Sequence, residues 1–144
     1  MSARNLVWVL AVFVVFSVVV AAQNQPPVIK HVPIKATSPA DGKLMYNSYC
    51  AVCHGTDGKG GGPAAEALKT PPTDLTLLAK NSGGKYPEAK VAATIRGEAV
   101  LPAHGSREMP MWGKLFRSLS DGHDAEVQQR VANLDGYIES LQAK

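Results

Sequence analysis

Cysteine, net charge and long apolar runs are all scarce in this chain, and each scarcity argues against a class of protein. Only two of the 144 residues are cysteines, and the net charge is +3 at pH 7. A zinc site would need two more ligands at suitable spacing. A mild charge without a basic stripe argues against nucleic acid as a partner. We find no internal repeat, and the single apolar run leaves nothing else that could span a membrane.

That apolar run extends from Leu6 to Ala22 and predicts that the rest of the chain lies outside the cytoplasm. Arg4 is the only charge before the run, and small residues end it, as in a secretory signal peptide. The run is also just long enough for a helix that spans a bilayer. Residues 1–22 are therefore interpreted as a signal peptide or as an uncleaved membrane anchor, and the protein as periplasmic or otherwise exported.

The remainder of the chain divides into a short tether and one domain. Residues 23–38 are polar and rich in proline without a helical period, which predicts an extended tether. Residues 39–144 are enough for one small domain and too few for two.

Both cysteines lie in the segment Cys50-Ala51-Val52-Cys53-His54, which is the attachment signature of a c-type haem. Two thiols at this spacing can form thioether bonds to the two vinyl groups on one edge of a porphyrin. The histidine that follows is then held beneath the metal as an iron ligand. A dithiol redox pair would be expected near a βαβ pattern, and no strand-like run precedes Cys50. A plain disulfide would leave His54 without a role. We therefore predict one covalently bound haem c.

Met109 is the strongest candidate for the second axial ligand of the iron. A thioether opposite histidine is the ligand set of electron-transfer cytochromes c, and it raises the reduction potential. Pro110 restricts Met109 toward an extended backbone, which suits a loop that aims one side chain inward. Met111 is the alternative, because the same loop could slip by two residues, and His104 would give a bis-histidine iron. Met45 lies in a predicted helix and is interpreted as core.

Three helices are predicted in the domain. The first covers residues 39–50 and starts with proline beside aspartate. The second covers residues 87–96 and is closed by Gly97. The third covers residues 120–142, where apolar residues recur at intervals of three and four. Between the first two helices, residues 55–84 are rich in glycine and proline, and a loop of this length is expected to wrap around something.

The order and spacing of these pieces resemble a class I, monohaem c-type cytochrome over nearly the whole predicted domain. The matching segments are the first helix with its haem attachment motif, a middle helix that ends in Arg96-Gly97, then Met109-Pro110, and a last helix that carries Asp135-Gly136-Tyr137. The resemblance implies an all-α fold in which three main helices and their loops wrap one covalent haem.

The resemblance also implies two contacts. Gly42 and Tyr46 on the first helix would meet Tyr137 where the first and last helices cross. A proline carbonyl would accept a hydrogen bond from the proximal histidine, and Pro72 is the better match, with Pro63 as its competitor.

The resulting hypothesis is an electron carrier rather than an enzyme, whose iron cycles between the ferric and ferrous states with His54 and Met109 bound. Its partners would be redox proteins of a respiratory or photosynthetic chain. Six lysines near the exposed haem edge could steer an acidic partner: Lys59, Lys69, Lys80, Lys85, Lys90 and Lys114. The alternative is the cytochrome c subunit of a membrane oxidoreductase, such as an oxidase, a quinol-oxidising complex or a periplasmic dehydrogenase. A haem enzyme or sensor with an open iron site is disfavoured by Met109.

Overall fold

The computed structural model of the chain describes residues 34–98 and 109–143. The predicted signal peptide or anchor, residues 23–33 of the tether, and His104 lie outside these ranges. The described part consists of helices and loops without a β-strand, in agreement with the predicted all-α class. No helix in it is long and apolar enough to cross a membrane.

The helices follow one another in a simple order. They are α1 (Gly42–Met45), a π-helical segment (Tyr46–Cys50), α2 (Ala51–His54), α3 (Leu78–Asn81), α4 (Glu88–Arg96), α5 (Trp112–Leu119) and α6 (Asp124–Ser140). Two short 3-10 helices, Ala65–Ala67 and Leu75–Leu77, lie in the long loop.

The first three of these elements run on without a break and together form the N-terminal helix. It begins where the Asp41 carboxylate accepts a hydrogen bond from the backbone N–H of Leu44 at 2.8 Å. It ends at Gly55, whose φ of 76° few other residues adopt. The wider π-helical turn in its middle buries Tyr46, Tyr49 and Cys50. The attachment motif therefore occupies the last turns of this helix.

The N-terminal helix crosses α6 closely, as the resemblance implies. A Cβ atom on Gly42 would overlap the backbone carbonyl of Asn133, so only glycine fits at this point. One turn further on, the rings of Tyr46 and Tyr137 pack with their centroids 5.2 Å apart. This crossing joins the two ends of the described chain.

The glycine-rich loop after His54 folds back on the end of the N-terminal helix. A helix end leaves its last carbonyls without partners inside the helix. Three loop N–H groups fill that need, from Gly60 to the carbonyl of His54 (2.8 Å), from Gly62 to Cys53 (3.0 Å) and from Ala64 to Val52 (2.8 Å). A Cβ on Gly62 would lie only 2.5 Å from the Val52 carbonyl oxygen. The glycines thus allow the close approach that fixes the loop.

Helix α4 confirms the second predicted helix, including its left-handed C-terminal residue Gly97 with φ 76°.

Helix α5 was not predicted as a separate element. Eight residues form a marginal helix on their own, and this one is stabilised by packing of Trp112 and Phe116 in the core. Gly113 lets it approach α4, since a Cβ there would lie 2.8 Å from the Arg96 carbonyl oxygen.

The C-terminal end of α6 is tied to the long loop by Gln142. Its amide donates to the Leu75 carbonyl at 2.7 Å and accepts from the Ala79 N–H at 2.8 Å. These bonds hold the segment that carries Leu75 and Leu78 against the rest of the domain, and both leucines face the cleft described next.

Candidate functional site

A largely apolar cleft lies between the N-terminal helix, the long loop, α4 and α6. It consists of two adjoining cavities of about 80 and 260 Å³ that share Cys50, His54, Thr73, Met109 and Trp112. The larger cavity is also lined by aliphatic side chains: Leu75, Leu78, Val91, Ile95, Leu134 and Ile138. Residues far apart in the sequence are therefore brought to one place.

Both cysteines line this cleft as free thiols. Cys50 is buried, and burial, followed by the influence of Cys53, raises the pKa of its thiol to about 12. The sulfur is therefore neutral, which suits an apolar wall. A thioether sulfur is neutral as well, so attachment of a porphyrin would leave no buried charge at this position.

His54 is oriented by a hydrogen bond to the loop. Its Nδ1 lies 3.1 Å from the backbone carbonyl oxygen of Thr73. A carbonyl oxygen can only accept, so Nδ1 carries the proton and Nε2 is the nitrogen whose lone pair could bind a metal.

The observed acceptor of the His54 hydrogen bond is not the expected Pro72 carbonyl, although Pro72 lines the smaller cavity. The carbonyl that receives the His54 hydrogen bond belongs to the next residue, Thr73, whereas the Pro72 carbonyl lies against Gly60. Pro63, the competing proline, is exposed. The sequence could not decide this, because every residue has a carbonyl and the register of the loop depends on contacts such as the 2.7 Å bond from the Leu75 N–H to the Gly58 carbonyl.

The structure distinguishes the methionines. Met109 is half-buried and lines both cavities together with His54. Met111 is 45% exposed, and its side chain lies against Gly97, where a Cβ would meet its Cγ at 2.7 Å. Met45 is fully buried in the core, as expected.

Sequence reasoning missed the aromatic side of the cleft. Tyr49 and Trp112 line it and stack on each other, with ring centroids 5.1 Å apart and an angle of 29° between the rings. On the same helix as Tyr49, the Tyr46 hydroxyl donates to the Gly55 carbonyl at 2.8 Å, and burial raises the pKa of this phenol well above its usual range. In the sequence, the position of Tyr49 directly before Cys50 could have indicated that its ring lines the cleft.

The residues of this cleft fit a haem group. One wall carries two thiols and the imidazole of His54, another carries the thioether of Met109, and the rest is aliphatic or aromatic. Hydrophobic walls with a few placed polar groups are typical of cofactor sites. The fold and the cleft together define a c-type cytochrome domain.

Comparison with known families agrees with that class. A family model described as cytochrome c oxidase, cbb3-type, subunit III matches residues 37–129. The chain belongs to this family. Neither a curated protein nor a solved structure gives a significant match. The chain is thus a monohaem c-type cytochrome that binds haem c covalently and acts as an electron carrier. Cytochromes of this kind are exported.

Proposed function

We propose that Cys50 and Cys53 form the two thioether bonds to the haem and that His54 and Met109 are its axial ligands. The observation that carries this proposal is that a cysteine, the histidine and the methionine line both cavities of one cleft. The hydrogen bond from His54 Nδ1 to Thr73 supports it, because that bond fixes the imidazole tautomer and raises the basicity of Nε2.

The bound haem supplies one-electron chemistry at its iron. His54 and Met109 would hold the iron, and the aliphatic side chains of the cleft would exclude water from it. A low dielectric disfavours the more highly charged ferric centre, and a thioether ligand raises the reduction potential further. Ligands that stay bound in both oxidation states would keep the reorganisation that accompanies electron transfer small.

The ligand assignment is tested by comparing Met109→Ala with Met111→Ala. The ferric wild type should show a methionine–iron charge-transfer band. Met109→Ala should abolish the band and lower the reduction potential, whereas Met111→Ala, a change at an exposed side chain of the same segment, should preserve both. A ferric wild type without the band, or loss of the band in Met111→Ala, would contradict ligation by Met109.

We further propose that the domain serves as the cytochrome subunit of a membrane oxidoreductase. The description of the matched family as an oxidase subunit favours this role over that of a freely diffusing carrier. An uncleaved N-terminal anchor would place the domain beside such a complex.

Mass spectrometry of isolated membranes tests the subunit role. The expected result is a chain that carries one haem, retains residues 1–22 and copurifies with the other subunits of an oxidase. A mature chain that begins after Ala22 and stays in the soluble fraction would instead identify a diffusible carrier.

A further inference from the structure

The hydroxyl of Tyr49 is hydrogen-bonded to residues 35–37, the segment before the N-terminal helix, which we call the strap. Tyr49 Oη donates to the Lys35 carbonyl at 2.8 Å. Its single proton is used in that bond, so the hydroxyl of Thr37, 2.9 Å away, is the donor to Tyr49 Oη. Tyr49 is only 6% exposed, and the strap provides both a donor and an acceptor for its hydroxyl.

The strap is itself held by a buried cation on α6. Arg130 is 3% exposed, and its guanidinium donates to the Thr37 carbonyl at 2.8 Å. The same group bonds the Glu126 carboxylate at 2.7 Å and the Ser120 hydroxyl at 3.2 Å. A buried guanidinium is strongly unfavourable without such partners. Its geometry is therefore well defined, and so is the position of Thr37.

The opposite end of Tyr49 reaches the cleft. Its ring stacks on Trp112 and also packs against Phe116, with a centroid distance of 5.9 Å. Trp112 is the first residue of α5 and follows Met109 by three positions along the chain. Residues 109–111, which we call the Met109 segment, lead directly into α5. Contact with Tyr49 thus helps to fix the point at which this segment passes into the helix.

We propose that the strap, acting through Tyr49 and Trp112, holds the Met109 segment in its iron-binding position. Tyr49 is then a positioning residue for the methionine ligand, an inference that rests on the proposed ligation by Met109. The strap is part of the predicted tether, residues 23–38. A displacement of the strap therefore weakens methionine ligation in particular, rather than the whole fold equally.

The test follows methionine ligation and helicity in the same urea titration of the full-length ferric protein. Tyr49→Phe removes the hydroxyl and keeps the ring, and Thr37→Val removes its partner and keeps the branched shape. Both variants should lose the methionine–iron band at lower urea. Before the helices unfold, the fraction without the band should rise roughly fivefold, which corresponds to one ordinary hydrogen bond. The urea midpoint of the helical signal should shift less than the midpoint for loss of the band.

Two further variants serve as controls. Thr37→Ser keeps the hydroxyl and should restore the behaviour of the wild type. Tyr137→Phe removes the same group from a ring at the helix crossing, so any change should move the band and the helical signal together.

The outcomes separate this proposal from the one on which it rests. A wild type without the band overturns both methionine ligation and the role of the strap. If the wild type has the band and the two midpoints shift in parallel in both Tyr49→Phe and Thr37→Val, ligation stands and the positioning role is wrong. Thr37→Val decides the matter if Tyr49→Phe fails to fold, because Thr37 is half-buried in the strap.

Discussion

At the scale of single residues, Asp135 is a buried carboxyl group that does not line the haem cleft. It is 3% exposed, and burial raises the pKa of its carboxyl. The Tyr86 hydroxyl, at 2.6 Å, acts in the opposite direction by donating a hydrogen bond to the carboxylate. Glu88 and Glu139 raise the pKa further and Arg96 lowers it. The hydrogen bond from Tyr86 therefore stabilises the charged form of Asp135.

We expect Tyr86→Phe to destabilise the protein by about 1.5–3 kcal/mol at neutral pH, the usual value for a hydrogen bond to a charged group. A carboxyl whose pKa is raised in the folded state binds its proton there more readily than in the unfolded state. The charged carboxylate therefore destabilises the folded state at pH values above the folded pKa, and this effect is relieved as the pH falls through that value. The cost of Tyr86→Phe should accordingly shrink in acid, which urea unfolding at several pH values measures.

Asp135→Asn provides the control for this prediction, because an amide oxygen still accepts from Tyr86 but carries no charge. In that background the cost of Tyr86→Phe should lose its dependence on pH. A cost that is the same at all pH values in both backgrounds would show that ionisation of Asp135 is not involved.

The residue scale also shows what the sequence could and could not predict about the site. Cys50, Cys53 and His54 could be found because their chemistry depends on side chains at fixed spacing. The acceptor for His54 could not, since it is a backbone carbonyl of Thr73 that no side chain identifies. Tyr49 and Trp112 were missed for a related reason, because their role arises from a stacking contact across the fold.

At the scale of elements, the crossing of the N-terminal helix and α6 depends on Gly42. A methyl group there would overlap the Asn133 carbonyl, and the backbone neighbour cannot rotate away. Gly42→Ala should therefore cost about 1–3 kcal/mol through overpacking. Gly136, on α6, has open space around its Cβ position. Gly136→Ala should stabilise the helix by about 0.8–1.0 kcal/mol. Thermal unfolding of the two holo variants should thus show shifts of opposite sign.

Helices with long periodic patterns were predictable, and short ones were not. Helix α6 could be found from its repeated apolar spacing, and α4 from the glycine that ends it. Helix α5 begins two residues after Pro110 and is stabilised by the burial of Trp112 and Phe116. The π-helical turn at Tyr46–Cys50 has no signal in the sequence either. Such elements depend on tertiary contacts that a local pattern does not contain.

At the scale of the whole molecule, the small net charge of +3 leaves the placement of individual lysines to decide how a partner is steered. Lys90 is exposed and at the same time lines the larger cavity, so its charge lies at the rim of the cleft. Lys43, on the N-terminal helix, is also exposed but lines neither cavity. The two lysines therefore form a matched pair.

Lys90→Gln and Lys43→Gln change the net charge by the same amount, so any difference between them reports the local field at the cleft. We expect Lys90→Gln to slow bimolecular electron transfer with an acidic redox partner roughly twofold to fivefold at low ionic strength, the effect of one charge at a solvated contact. Lys43→Gln should have a smaller effect. The difference should vanish at about 1 M salt, where the Debye length is only about 3 Å. Stopped-flow rates over a salt series measure both effects, and equal slowing by the two variants would mean that the cleft rim does not steer the partner.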